Sequence, residues 1–227
     1  MAIPPLVHQI WVNPGTGGSE GLPWRVRRHA RRWARLHPTF RHQMWDLDSA
    51  AACGDDLMPG FSAALRSLRF PASQADLARL AILLRHGGFW ADLKVVPLRP
   101  FLAELVGHDL VLTEHHPTAE RPVADGFLNN SFIGASPHNL LIARCLERAL
   151  HNVDRRWPPS VFEMTGPRVL MNVRDEMLSE PGGLGDVEVL EQSRTWGVLI
   201  DNGSSSYNRG GRHWAERQQL ESIFLDD

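Results

Sequence analysis

The sequence predicts an α/β fold, with a central mixed, mostly parallel sheet flanked by helices. Two observations predict it. Through the first half of the chain, short β-branched and aromatic runs alternate with helix-length segments, as in a sheet wound with helices. One of those segments, opening at Ser73, is apolar on almost every side, which suits only an internal helix. The chain has 227 residues, 43% of them hydrophobic, enough for one substantial core, so a single domain over residues 1–227 is expected.

The elements follow in order. LVHQIWV (residues 6–12) comes after Pro4 and Pro5 and reads as a buried first strand. The glycine-rich NPGTGGSEG reads as a loop. It does not satisfy GxGxxG, because Glu20 stands where the third glycine belongs. Residues 23–36 read as a helix with Pro23 near its first turn. Val26, Ala30 and Trp33 share one face, and Arg25, Arg28, Arg31, Arg32 and Arg35 crowd the rest. That arginine face reads as solvated, with contact to an anionic surface or acceptor as the other reading. Residues 40–45 predict a strand, 57–68 a helix, and 73–86 the internal helix, which Gly87-Gly88 ends. Residues 89–97 are extended. Strands are predicted over 109–113, 130–135 and 187–190, and helices over 139–150, within 164–178, and over 214–224.

Net charge is −2, so no global field marks a nucleic-acid binder. Cys53 and Cys145 lack CxxC spacing and read as small buried thiols. The opening MAIPPLVHQIW does not have the form of a signal peptide, and no apolar run is long enough to span a bilayer. The expectation is a soluble, cytoplasmic protein, with peripheral membrane contact still open. No GxSxG, P-loop or paired Cys/His nucleophile is present.

Chemistry concentrates in ASQADLARLAILLRHGGFWADLKVVPLRPF. Asp76 and Arg79 are three residues apart on the internal helix and share a face. Alone, they read as a structural pair: Ser73 as helix cap with an acid three residues on, and Arg79 as the partner that makes burial of Asp76 bearable. The string continues through Gly87-Gly88 onto Trp90-Ala91-Asp92-Leu93-Lys94, and Lys94 is the only lysine in the chain. This continuation resembles a family of DXD-type sugar transferases of GT-A fold, related to capsular and outer-chain mannan enzymes and to the large bacterial glucosylating toxins. LVHQIWV, NNSFIGASPHN and MTGP are similar to further stretches of that family, in the same order.

The resemblance implies a GT-A-like nucleotide-sugar-binding fold. A donor-binding half would take about residues 1–100, and an acceptor side with a C-terminal lid about residues 101–227. It implies a UDP- or GDP-sugar donor, retention of anomeric configuration, and a glycan, lipid-linked or small-molecule acceptor. Trp11 would stack on the base, and Asp92 would accept hydrogen bonds from ribose and sugar hydroxyls. Asp76 and Arg79 would hold the sugar and the side nearest the phosphates. Trp90 would form an aromatic wall, and Asn130 would contact sugar or acceptor.

Where the family has its second aspartate, which binds Mn²⁺ or Mg²⁺, this chain has Lys94. One aspartate plus a divalent ion contributes the same charge as one ammonium, so a transferase needing no metal is the expectation. Retained metal binding through Asp92 and C-terminal groups is an alternative, as is a catalytically inactive sugar-nucleotide binder. An unrelated α/β module is the third.

Residues 202–212 would form a lid with Ser204, Ser205 and Ser206 on phosphate, and His213 and Trp214 would return to the diphosphate. Glu114, His115 and His116 suit an acceptor-side loop better than a metal site, because adjacent histidines point apart.

Overall fold

In the computed structural model, residues 1–12, 22–115, 127–203 and 214–226 are described. The chain starts with β1 (Leu6–Ile10), α1 (Trp24–Leu36) and β2 (Arg41–Trp45). It continues through α2 (Leu47–Asp55), α3 (Phe61–Ser67) and α4 (Pro71–His86) into β3 (Gly88–Ala91) and β4 (Val95–Pro97). Next come β5 (Leu110–Glu114), β6 (Leu128–Ala135), α5 (Leu140–Asp154), α6 (Val161–Met164) and α7 (Pro167–Leu178). The last elements are β7 (Val187–Leu190), α8 (Gln192–Thr195), β8 (Ile200–Asn202) and α9 (Trp214–Arg217).

Among the described residues, six strands form one sheet in the order β2-β1-β3-β6-β5-β7. β1 runs parallel to β2 and β3, and β5 runs parallel to β7, while β6 is antiparallel to both its neighbours. The sheet is therefore mixed and mostly parallel, as expected. β4 leaves it and pairs antiparallel with β8.

Alternation along the strands sends side chains to two hydrophobic clusters. Val7, Phe89, Ala91, Val111 and Phe132 join Trp33 of α1 and Phe101 on one face. Ile10, Trp90, Leu110, Leu112 and Ile133 join α2, α3, α4, α5 and α7 on the other. α4 is internal, with residues from Ser73 through Leu83 almost all buried.

Three expectations need correction. α2 was not anticipated. Asp46 caps it, accepting from the Ser49 backbone N–H at 2.8 Å within a capping box, but its short alanine-rich body has little amphipathic pattern. Ser73 is not a cap, since α4 already starts at Pro71 and the Ser73 hydroxyl donates to the Phe70 carbonyl at 2.8 Å. The final helix covers only Trp214–Arg217, after which the chain turns and Phe224 bridges to Leu68.

Candidate active site

Local backbone requirements carry α4 into β3. Gly87 and Gly88 have φ of 62° and 95°, where side chains are strained. A Cβ on Gly88 would lie 2.8 Å from Leu6 Cβ, so the glycine also lets β3 approach β1. His8, on β1, fixes the same junction. Its Nδ1 accepts the Trp45 indole N–H at 3.1 Å, so the proton sits on Nε2, which donates to the Gly87 carbonyl at 2.9 Å. Burial pushes the His8 imidazole down to about 4, which keeps this neutral tautomer.

At the end of β3 the chain makes a tight turn. The Val95 N–H donates to the Asp92 carbonyl at 2.8 Å, placing Leu93 and Lys94 at the centre of the turn. The Asp92 N–H donates to the Ser131 carbonyl at 2.8 Å, and the Gln9 amide donates to the carbonyls of Ala91 and Asp92 at 3.1 and 3.3 Å. Gln9 is fully buried, and its own oxygen accepts from His42 Nε2 at 2.9 Å. The sequence reading did not single out Gln9. Its only signal was a polar residue in a strand buried on both sides.

The charged side chains form one connected set. Arg79 donates from Nη1 to Asp76 Oδ1 at 2.6 Å and from Nη2 to Asp92 Oδ1 at 3.0 Å. Asn130 on β6 donates to Asp76 Oδ1 at 2.9 Å, and the Thr165 hydroxyl reaches Asp76 Oδ2 at 3.4 Å. The Trp90 indole donates to Asp92 Oδ1 at 2.9 Å, and the Arg79 guanidinium carbon lies 5.1 Å from the Trp90 ring centre. Trp90 is completely buried, so it meets Asp92 and Arg79 from inside the protein.

Burial pushes the Asp76 carboxyl up to about 6, against the pull of Arg79. Burial also opposes the Arg79 charge, but the two carboxylates outweigh it and raise Arg79 above its ordinary value. At neutral pH the pair is therefore ionised. Asp92 is the exposed member, with a quarter of its side chain open, and among the described residues no donor reaches its Oδ2.

Lys94 is half-buried, and no described carboxylate pairs with its ammonium. The Lys94 carbonyl accepts the Gly203 N–H at 2.6 Å, continuing the β4–β8 ladder to the turn. His29 of α1 packs against the returning chain, and a Cβ on Gly203 would lie 2.4 Å from its Cε1. His29, too, was not anticipated, because its partner is distant in sequence.

A divalent cation needs several oxygen ligands. Among the described residues no three His, Cys, Asp or Glu side chains gather to hold one. Asp92 Oδ1 already accepts two N–H donors, and the next acidic position of the pattern is a lysine. The described side chains at this turn do not fit a metal site.

The remaining expected residues lie on several other elements. Trp11 is half-buried just past β1, its backbone N–H donating to the Trp45 carbonyl at 3.0 Å. Trp214 opens α9 and packs on the larger core, and α9 is tied to α6 by Gln218, which accepts the Val161 N–H at 3.1 Å. Ser204, Ser205, Ser206, His213 and most of the expected lid lie outside the described residues. Glu114 accepts the Gln192 N–H at 2.7 Å, and His115 stacks edge-on against Phe127 with centroids 5.2 Å apart. His116 lies outside the described residues.

Residues 23–112, which hold Asp76, Arg79, Asp92 and Lys94, match the family described as glycosyltransferase sugar-binding region containing DXD motif. An uncharacterized glycosyltransferase of Acanthamoeba polyphaga mimivirus is 28% identical over 138 residues, covering 60% of this chain and 51% of that one. An initiation-specific alpha-1,6-mannosyltransferase of Schizosaccharomyces pombe is 29% identical over 79 residues, covering 33% of this chain and 20% of that one. The chain thus spans about half of one of these curated relatives and a fifth of the other. The UDP-bound glycosyltransferase domain from the YGT toxin superposes with a TM-score of 0.58 at 10% identity, covering 83% of this chain and 79% of that one. The matched region therefore sits in a GT-A-like fold, in agreement with the resemblance read from the motifs. Trp11, Asn130 and Thr165 fall outside the matched region and reach its neighbourhood through β1, β6 and the end of α6.

Proposed function

We propose that this chain transfers a sugar from a UDP- or GDP-sugar to an acceptor hydroxyl, and that Lys94 takes the place of a divalent ion. One observation carries the proposal. Within a single four-residue turn, Asp92 offers an uncommitted carboxylate oxygen and Lys94 an ammonium with no carboxylate partner among the described residues. The oxygen suits ribose or sugar hydroxyl donors, and the ammonium suits a diphosphate. The matched sugar-binding region and the UDP bound by a domain of like fold support this donor class.

In the reaction, the bond from the anomeric carbon to the diphosphate oxygen breaks, and the acceptor oxygen bonds to that carbon. The acceptor's proton passes to the departing diphosphate on the same face, which gives retention. Lys94 keeps its proton throughout and offsets the charge that grows on the leaving group. Arg79 and Trp90 hold Asp92 so that its free oxygen meets the sugar in a fixed orientation. The chain works as one domain, with a glycan, lipid-linked or small-molecule acceptor on the side formed by residues beyond about 100.

A second reading, a catalytically inactive sugar-nucleotide binder, draws on one feature. Asp92 Oδ1 is saturated by protein donors, which would suit a site built to bind rather than to react. A panel of UDP-, GDP-, CMP- and dTDP-sugars, scored for thermal stabilisation and for donor hydrolysis with and without EDTA, separates the readings. Turnover that survives EDTA supports the proposal. Stabilisation without turnover supports the inactive binder, and turnover abolished by EDTA returns the metal alternative.

A further inference from the structure

We propose that the outer face of α1 docks this protein on an anionic membrane surface. Trp24, Arg28, Arg31 and Arg35 are spaced i, i+4, i+7 and i+11, so they form one straight stripe along the helix. All four are exposed, Trp24 to 65%, and Arg27 lies exposed beside them. The 13 residues of α1 include six arginines and no acid, on a chain whose net charge is −2.

The clustering on one helix face is the decisive feature. Among the described residues, the other exposed arginines without a carboxylate partner (Arg41, Arg99, Arg155, Arg168 and Arg194) each lie on a different part of the chain, and the rest outside α1 are paired. Arg66, Arg144, Arg148, Arg156 and Arg217 are each paired with a carboxylate. Among the described residues, none pairs with Arg28, Arg31 or Arg35. An exposed helix with a line of unpaired arginines and an aromatic ring at one end suits a negatively charged lipid plane, where tryptophan rests at the headgroup level.

The inner face of the same helix explains what docking would accomplish. Val26, Ala30 and Trp33 are buried, and the Trp33 indole donates to the Val95 carbonyl at 3.1 Å, one residue past Lys94. His29 packs against Gly203, whose N–H donates to the Lys94 carbonyl. A helix is about 10–12 Å across. Docking through the stripe therefore holds the Asp92–Lys94 turn roughly one helix diameter from the lipid surface, within reach of a membrane-borne hydroxyl.

The test is co-sedimentation of the full chain with vesicles of phosphatidylcholine alone, or of phosphatidylcholine mixed with phosphatidylglycerol, at low and high salt. Binding to the anionic vesicles only, weakened by salt, is expected. At roughly 1 kcal/mol per basic residue near the surface, Arg28→Gln, Arg31→Gln and Arg35→Gln together reduce partitioning on the order of a hundredfold. The matching lysine triple retains binding, because it keeps the charge. A control triple, Arg144→Gln, Arg148→Gln and Arg174→Gln, changes net charge equally and leaves binding intact. Circular dichroism confirms that each variant is folded. Absent binding to anionic vesicles at low salt, equal loss in the control triple, loss in the lysine triple, or tighter binding to a duplex oligonucleotide than to vesicles overturns the proposal. The readout is partitioning rather than turnover, so its failure is separate from any failure of the sugar-transfer reading.

Discussion

Arg79 reaches from the middle of a buried helix to Asp92 at the exit of β3, 3.0 Å away. The same guanidinium binds Asp76 at 2.6 Å, so one side chain ties an internal helix to the turn that carries Lys94. Burying this charge is costly unless both carboxylates are present, and that dependence leads to the first prediction.

Arg79→Leu leaves Asp76 buried without its cationic partner. A loss of about 3–5 kcal/mol in unfolding free energy is expected, read by urea denaturation. Adding Asp76→Asn recovers part of that loss, because the stranded charge is gone. If the double variant is less stable than Arg79→Leu alone, the pair is not coupled as the geometry requires. Arg79→Lys does not rescue donor binding, since an ammonium lacks the fork that spans both carboxylates.

Lys94 is tested by exchange. Lys94→Ala lowers donor turnover by at least tenfold, while leaving stability within about 0.5 kcal/mol, because no described carboxylate pairs with its ammonium. Lys94→Asp creates turnover that depends on added Mn²⁺. Unchanged activity in Lys94→Ala counts against any role for the ammonium.

Trp90→Phe keeps most of the buried ring but removes the N–H that donates to Asp92 Oδ1 at 2.9 Å. The expected cost is about 1–3 kcal/mol in stability, with weaker donor binding, because Asp92 is held by Arg79 alone. Isothermal titration with UDP or GDP measures the second effect. Unaltered affinity would show that the Asp92 orientation does not depend on Trp90.

His8 gives a pH dependence with a defined sign. Its folded value, about 4, lies below the ordinary 6.5 because burial penalises the charged ring. The unfolded chain therefore binds the proton first. The stability contributed by His8 is full above pH 6.5 and is lost as pH falls towards 4, by on the order of 3 kcal/mol. Asp76 acts oppositely, since its raised value makes the protonated form the more stable one below about 6. Comparing wild type with His8→Gln across this range isolates the histidine. Parallel stability curves for the two would refute the assignment.

Gly88→Ala tests the junction itself. The residue has φ of 95°, and an added Cβ would lie 2.8 Å from Leu6 Cβ and 3.0 Å from the Leu6 carbonyl oxygen. A loss of about 2 kcal/mol or more is expected by thermal or urea unfolding, exceeding that of Gly60→Ala, where nothing lies within 4 Å.

By itself, the sequence determined the strand–helix alternation, the internal character of α4, the glycine break after it, and the order of the motifs around Asp76, Arg79, Asp92 and Lys94. These are local signals: periodicity, composition and backbone permissiveness act over a few residues and leave their mark there. Only the tertiary structure decided that Asp76 is bridged to Asp92, that Trp90 supports the carboxylate from inside, and that Gln9, Ser131, His29 and Gly203 converge on one turn. Those contacts join residues far apart in the chain, and no pairwise spacing encodes them. Hydrogen-bond satisfaction in a buried space selects such partners, and that space exists only once the sheet and its helices have closed around it.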